Sequence, residues 1–153
     1  MQAEASVVVD RPIEEVFEFT NYRVAEWSLT VVEDEVIHET PDRVGTTFRC
    51  VTQSHGKQMV FQGTVTRWEP PALSAIHLIG DTFDIEAMYL FESTPEGTRV
   101  TQQSVISPRG FTKVIFFLFG WMMGKATCNE VQKELDNLKR LLEEPAPAAD
   151  ESS

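Results

Sequence analysis

The spacing of hydrophobic positions changes character along the chain. Residues 3–10 (AEASVVVD) end in a β-branched run and predict a strand. Asp10 then precedes Arg11-Pro12 and a stretch in which Ile13, Val16, Phe17 and Phe19 recur at helical spacing. Pro12 suits a first helical turn, Asp10 can cap it, and Glu14 and Glu15 favour the positive end of the helix dipole. A short helix is expected from about Pro12 to Thr20, with a further helical turn over Tyr22 to Trp27. From Val31 to Ser107 the pattern becomes strand-like, cut by turn signals at Pro41-Asp42, His55-Gly56, Pro70-Pro71, Gly80-Asp81 and Pro95-Glu96-Gly97. These cuts predict strands near 31–39, 45–54, 57–69, 72–79, 82–94 and 98–107, most joined by turns short enough to make an antiparallel meander. Residues 111–143 read as one long helix whose second half carries a seam of Cys128, Val131, Leu135, Leu138 and Leu142. The order predicts an α+β domain over residues 1–144, in which a curved sheet grips the long helix to bury that seam. Residues 145–153 (PAPAADESS) have nothing to bury and are expected to be a disordered acidic tail.

Hairpin register decides which side chains can meet. A two-residue turn at Gly80-Asp81 pairs Leu78 with Phe83 and Ile76 with Ile85. It puts Ser74, Ile76, Leu78, Phe83, Ile85, Ala87, Tyr89 and Phe91 on the core face. The same exercise at His55-Gly56 gathers Phe48, Cys50, Thr52, Met59, Phe61, Gly63 and Val65, and the last strand adds Val100, Gln102, Ser104 and Ile106. The inner surface is then mostly apolar, with Tyr89, Gln102, Ser104, Thr52 and Arg67 as its polar groups. That composition suits a small-molecule pocket, or equally a closed core with a few satisfied hydroxyls. On strand 31–39 the less charged face carries Val32, Asp34, Val36 and His38, which places Asp34 and His38 at a cavity rim. Acidic residues on an edge strand are also an ordinary guard against aggregation.

Composition narrows the classes. The 153 residues, with a formal net charge of −11, make one domain large enough to fold without a disulfide or metal. The charge argues against a nucleic-acid partner. Two cysteines without CxxC spacing, three scattered histidines and the absence of GxSxG, HExxH, Walker and GxGxxG patterns leave no metal or cofactor motif. No basic-then-apolar leader is visible, and the apolar run Val114–Met123 is short of the ~20 residues that span a bilayer, so a cytoplasmic location is expected. If the protein is an enzyme, its means would be an acid/base inside an apolar cavity. The candidates are Asp34, Tyr89 and Ser104, each also explicable as a lining or rim residue. Residues 114–123 (VIFFLFGWMM) are apolar around the whole helix. One face meets the sheet; the other meets a ligand, the loop near Trp27, a second subunit or a membrane. Gly120 and Gly124 weaken that helix by about 1 kcal/mol each. They read as room for a ligand and a pliable gate, or as easing helix–sheet packing.

The segments SVVVDRPIEEVFEFTNYRVAEW, VGTTFRC, FQGTVTRWEPPALSAIHL and YLFESTPEGTRVTQQ, followed by the long helix, resemble the START-like helix-grip superfamily (SRPBCC). The likeness is greatest to its polyketide cyclase/dehydrase and lipid-transport branch and runs through residues 3–143. Its most telling parts are the opening strand leading into Pro12–Phe17, Trp27, Gly45-Thr46, and the set Phe91, Gly97, Thr98 and Val100. The resemblance implies a seven-stranded antiparallel sheet around the C-terminal helix, a hydrophobic cavity between them, and no obligatory metal or cofactor. It does not choose among lipid and steroid carriers, aromatase/cyclases, coenzyme Q-binding proteins and activators of heat-shock ATPases. Asp34 stands where relatives often have an apolar residue. The expectation is a binding protein for a hydrophobic small molecule or lipid, its cavity lined by Phe48, Cys50, Phe61, Ile85, Tyr89, Gln102, Ser104, Phe117, Gly120 and Gly124. Two alternatives stand beside it: a metal-free cyclase/dehydrase-like enzyme, and a module that docks on a protein, a second copy or a membrane through residues 114–123.

Overall fold

A computed structural model of the chain shows seven strands in one antiparallel sheet, with two short helices after the first strand and a long helix at the end. It describes residues 2–54 and 56–144, and the side chains of 111, 112 and 115–127 lie outside that description. The elements are β1 (Gln2–Val9), α1 (Ile13–Tyr22), α2 (Val24–Trp27), β2 (Val31–His38), β3 (Thr47–Ser54), β4 (Lys57–Glu69), β5 (Leu73–Ile79), β6 (Phe83–Thr94), β7 (Gly97–Pro108) and α3 (Phe111–Glu143). Strands β2 to β7 form a meander, and β1 closes on β7, giving the order β1-β7-β6-β5-β4-β3-β2. The α+β helix-grip architecture expected from the element order is the one observed. The tail 145–153 lies outside the described residues.

Pattern and structure part company at four places, each with a local cause. Pro12, extended at ψ 151°, is the N-cap of α1 and no side chain caps the helix. Asp10 does not serve; its backbone N–H donates instead to Glu143 at 2.8 Å, at the far end of α3. The β5–β6 turn is two residues longer than Gly80-Asp81 alone predicts: Leu78 pairs with Ile85, and Ile79 with Asp84. A slip of two preserves the side-chain alternation, so the inward set survives. A bulge between Val65 and Arg67 re-phases β4. Arg67, expected inside, lies outside and pairs with Glu69 at 2.8 Å, while Trp68 turns in to line the cavity. A second irregularity, between Val31 and Glu33, brings Val31 rather than Val32 inward and keeps Asp34 and Val36 facing the cavity. His38 is exposed and away from the cavity wall. By contrast the β3–β4 hairpin has the expected register, with Cys50 opposite Phe61 and Thr52 opposite Met59.

The seam on α3 is buried as its spacing demands. Val131, Leu135, Leu138 and Leu142 pack in one cluster with Ala3, Ala5 and Val9 of β1, Val100 of β7, Phe91 of β6, and Val16, Phe17 and Trp27 of α1 and α2. Polar ties hold the helix to the edge of the sheet: Lys139 Nζ donates to the Val8 carbonyl at 2.6 Å and Gln132 Nε2 to the Ser6 carbonyl at 3.1 Å. Gly97-Thr98 is part of the same lock. Gly97 sits at φ 137°, and a Cβ there would strike the Val9 carbonyl. Thr98 Oγ1 donates to the Arg11 carbonyl at 2.8 Å, joining the β6–β7 turn to the start of α1.

Leu135 is 0% exposed at the middle of this cluster. Leu135→Ala should cost about 2–5 kcal/mol, read as a lowered urea midpoint. Val114→Ala, at an exposed position of the same helix, should stay within about 0.5 kcal/mol. Equal effects of the two would contradict the assignment of the core.

Candidate functional site

A second, smaller apolar cluster forms on the other part of the sheet, where Cys50, Phe61 and Leu78 are buried with Phe48, Met59, Ile76, Phe83 and Ile85 around them. Between the two clusters lies a cavity of about 380 Å³. Its floor is the inner face of β3 to β7, and its sides come from α1, α2, β2 and the Glu130–Glu134 turn of α3. Phe48, Cys50, Phe61, Ile85, Tyr89, Gln102 and Ser104 all line it, as does Asp34. Phe117, Gly120 and Gly124 belong to the stretch of α3 whose side chains lie outside the description. Phe48 stands opposite Gly63 across the β3–β4 ladder, and its ring occupies the space a Cβ on Gly63 would need.

The polar groups of the cavity fall into two sets. The first crosses the floor. Ser74, Tyr89 and Gln102 are successive cross-strand partners on β5, β6 and β7. Gln102 Nε2 donates to Ser104 Oγ at 3.2 Å. Gln102 Oε1 and Ser74 Oγ have no hydrogen-bond partner among the described residues, although both side chains are buried. Unpaired groups of this kind are costly in a closed core, and here both residues line the cavity.

The second set is charged. Glu134, on α3, accepts hydrogen bonds from Thr30 Oγ1 at 3.0 Å, Ser28 Oγ at 3.2 Å and the Leu29 backbone N–H. These bonds tie the α2–β2 connection to the long helix. Burial pushes the Glu134 carboxyl above its usual pKa despite them. Asp34 keeps an exposed outer surface on β2, yet its carboxyl is crowded by the wall; burial raises its pKa and Arg43 opposes the rise. Burial, together with Asp34 and Glu134, pushes the Cys50 thiol up to about 12, so it stays protonated near neutrality. Tyr89 is shifted upward by burial and by the same carboxylates, and its ring meets Trp27 edge-on at 6.3 Å. Arg43 sits 4.8 Å from the Tyr22 ring and 5.1 Å from the Trp68 ring, with Glu39 at 3.1 Å.

Glu134 is the group that pattern reading passes over. Its signal is present: Val131, Glu134 and Leu138 are spaced three and four apart, so an acid occupies a seam position. Ser104, proposed as an acid/base, accepts from Gln102, and none of the described lining residues is a histidine. Among the described residues no cluster of three or more His, Cys, Asp or Glu is placed to hold a metal, and no helix is long and apolar enough to cross a membrane.

Comparison with known proteins agrees with this architecture. The Thermus thermophilus protein TTHA0849 superposes with a TM-score of 0.77 at 19% identity, over 93% of this chain and 97% of its own. The Deinococcus radiodurans protein DR_A0006 does so with a TM-score of 0.66 at 14% identity, over 92% and 95%. BexL, a di-domain ARO/CYC of the BE-7585A biosynthetic pathway, matches with a TM-score of 0.69 at 14% identity, over 95% of this chain and 50% of that one. No curated protein sequence matches the chain. The family model for polyketide cyclase / dehydrase and lipid transport matches residues 1–143, and the chain belongs to that family.

Proposed function

We propose that the protein binds a hydrophobic small molecule or lipid between the sheet and α3. The observation that carries this reading is the cavity of about 380 Å³, walled by Phe48, Met59, Phe61 and Ile85, whose surface is mainly apolar. Its size falls within the range of small-molecule pockets, about 300–1,000 Å³. Apolar surface moved out of water supplies the affinity, at about 25 cal/mol per Å². The polar row on the floor sets orientation. Membership of the lipid-transport and cyclase family supports the same reading.

A second reading, proton transfer on the bound molecule, has one observation in its favour. The Glu134 carboxyl lies in the cavity with its pKa raised by burial, which moves an acid toward use near neutrality. BexL and StfQ, both ARO/CYC proteins, share the fold. In that case Glu134→Gln would abolish turnover and keep ligand affinity.

Binding is measured with N-phenyl-1-naphthylamine, a neutral apolar fluorophore. It should bind at about one per chain, and Ile85→Trp, which fills the cavity from its wall, should weaken it at least about tenfold, 1.4 kcal/mol. An unaffected affinity in a folded Ile85→Trp protein would refute the location.

The raised carboxyl also has a signature in stability. Folded Glu134 holds its proton to higher pH than the ordinary 4.5, so the folded state binds more protons than the unfolded one between the two values. Stability therefore falls as pH rises through that window. Asp34 contributes in the same direction from 3.8. Glu134→Gln should flatten the decline in urea midpoint that sets in as pH rises above about 4.5. Parallel curves for the two proteins would contradict the assignment.

A further inference from the structure

The charges that border the cavity are unequal. Among the described lining residues the acids are Asp34, Glu130 and Glu134, and the single base is Arg43. That base is lodged over Tyr22 and Trp68 and paired through Nη1 with Glu39, while its buried Nε has no hydrogen-bond partner among the described residues. The acids are less completely answered. Glu134 is bonded to two hydroxyls and a backbone N–H, none of which carries charge. Glu130 lies one turn away on the same helix. Asp34, opposite Cys50 on β2, feels Arg43 at a distance that leaves burial dominant.

An independent observation points the same way. Gln102 is 7% exposed, and its Nε2 is committed to Ser104 Oγ. That leaves Oε1, an acceptor on a cavity-lining residue, without a partner among the described residues. A ligand group that answers Gln102 Oε1, Glu134 or Asp34 must donate hydrogen bonds, and a positive charge on it would offset the desolvated acids.

We propose that this cavity selects an apolar molecule bearing an ammonium head over one bearing a carboxylate, with Glu134 and Asp34 supplying the charge and Gln102 Oε1 the free acceptor. The inference rests on the binding reading above and names the ligand's chemistry: an alkyl or aryl amine, protonated at neutral pH. A carboxylate head would meet two or three like charges against one guanidinium, that of Arg43. A neutral alcohol would use Gln102 Oε1 and gain nothing from the acids.

Three probes with the same chain separate these cases. Dodecylamine, dodecanol and dodecanoate, each below its micelle concentration, are titrated against N-phenyl-1-naphthylamine bound to the full chain at pH 7. Salt near 0.15 M confines surface electrostatics to about 8 Å. Dodecylamine should displace the fluorophore at a concentration at least about tenfold lower than dodecanoate, with dodecanol between them. Glu134→Gln and Asp34→Asn should each narrow the amine-to-carboxylate ratio, and the double variant should bring it close to one. Dodecanol affinity, unchanged in each variant, reports that the cavity is intact. Glu92→Gln, at an exposed position on the outer side of β6, should leave the ratio as it is. Equal displacement by amine and carboxylate, or a tighter carboxylate, overturns the inference and leaves the apolar cavity standing. So does a ratio that falls as far in Glu92→Gln as in Glu134→Gln. If neither the fluorophore nor dodecanol binds, it is the binding reading itself that fails.

Discussion

The burial of one helical seam organises this molecule. Val131, Leu135, Leu138 and Leu142 are covered by β1, β7, β6 and the α1–α2 pair, which fixes the helix against one part of the sheet. The helix lies toward the β1–β7 edge, where Lys139 and Gln132 bond to carbonyls of β1 and Asp10 bonds back to Glu143. The sheet, however, continues through β6, β5, β4 and β3. Its inner face there carries its own apolar cluster around Cys50, Phe61 and Leu78, and the space between the two clusters is the cavity. A pocket is the consequence of a helix seated to one side of a broad curved sheet.

Placing Glu134 on that helix gives the cavity its electrical character. The carboxylate closes the gap between α3 and the α2–β2 connection by accepting from Ser28 and Thr30, and in doing so it loses water. Burial then raises its pKa, and its charge raises those of Tyr89 and Cys50 in turn. The same residue that fastens a loop thereby sets the environment any bound molecule meets. Asp34 extends that environment to the rim.

How much of this was legible beforehand differs from element to element. The number and order of strands follow from the turn signals, because pairs and clusters of Gly, Pro and Asp favour the tight backbone of turns over a continuing ladder. The inward face of β3 and the paired part of β4 was legible too, since the turn signal in the sequence at His55-Gly56 predicts the observed register, with Cys50 opposite Phe61. The β5–β6 register was read two residues short, yet Tyr89 and Ile85 still came out facing inward, because alternation tolerates an even slip. Arg67 and Trp68 were exchanged by a bulge, which no pattern of period two reveals. Glu134 was hidden by its neighbours: a polar residue within a leucine seam reads as the flank of the seam until its partners on another element are known.

The sequence by itself determined the elements, their antiparallel order, the seam on the last helix and most of the side chains that face inward. These depend on periodicity and turn chemistry, which act over a few residues. Only the tertiary structure decided whether the inward face was a closed core or a lined cavity, and which acids border it. Those outcomes depend on where a helix seats against a curved sheet and on bulges that re-phase single residues. They arise between segments more than a hundred residues apart, as with Glu134 and Thr30, where local pattern carries no information about distance.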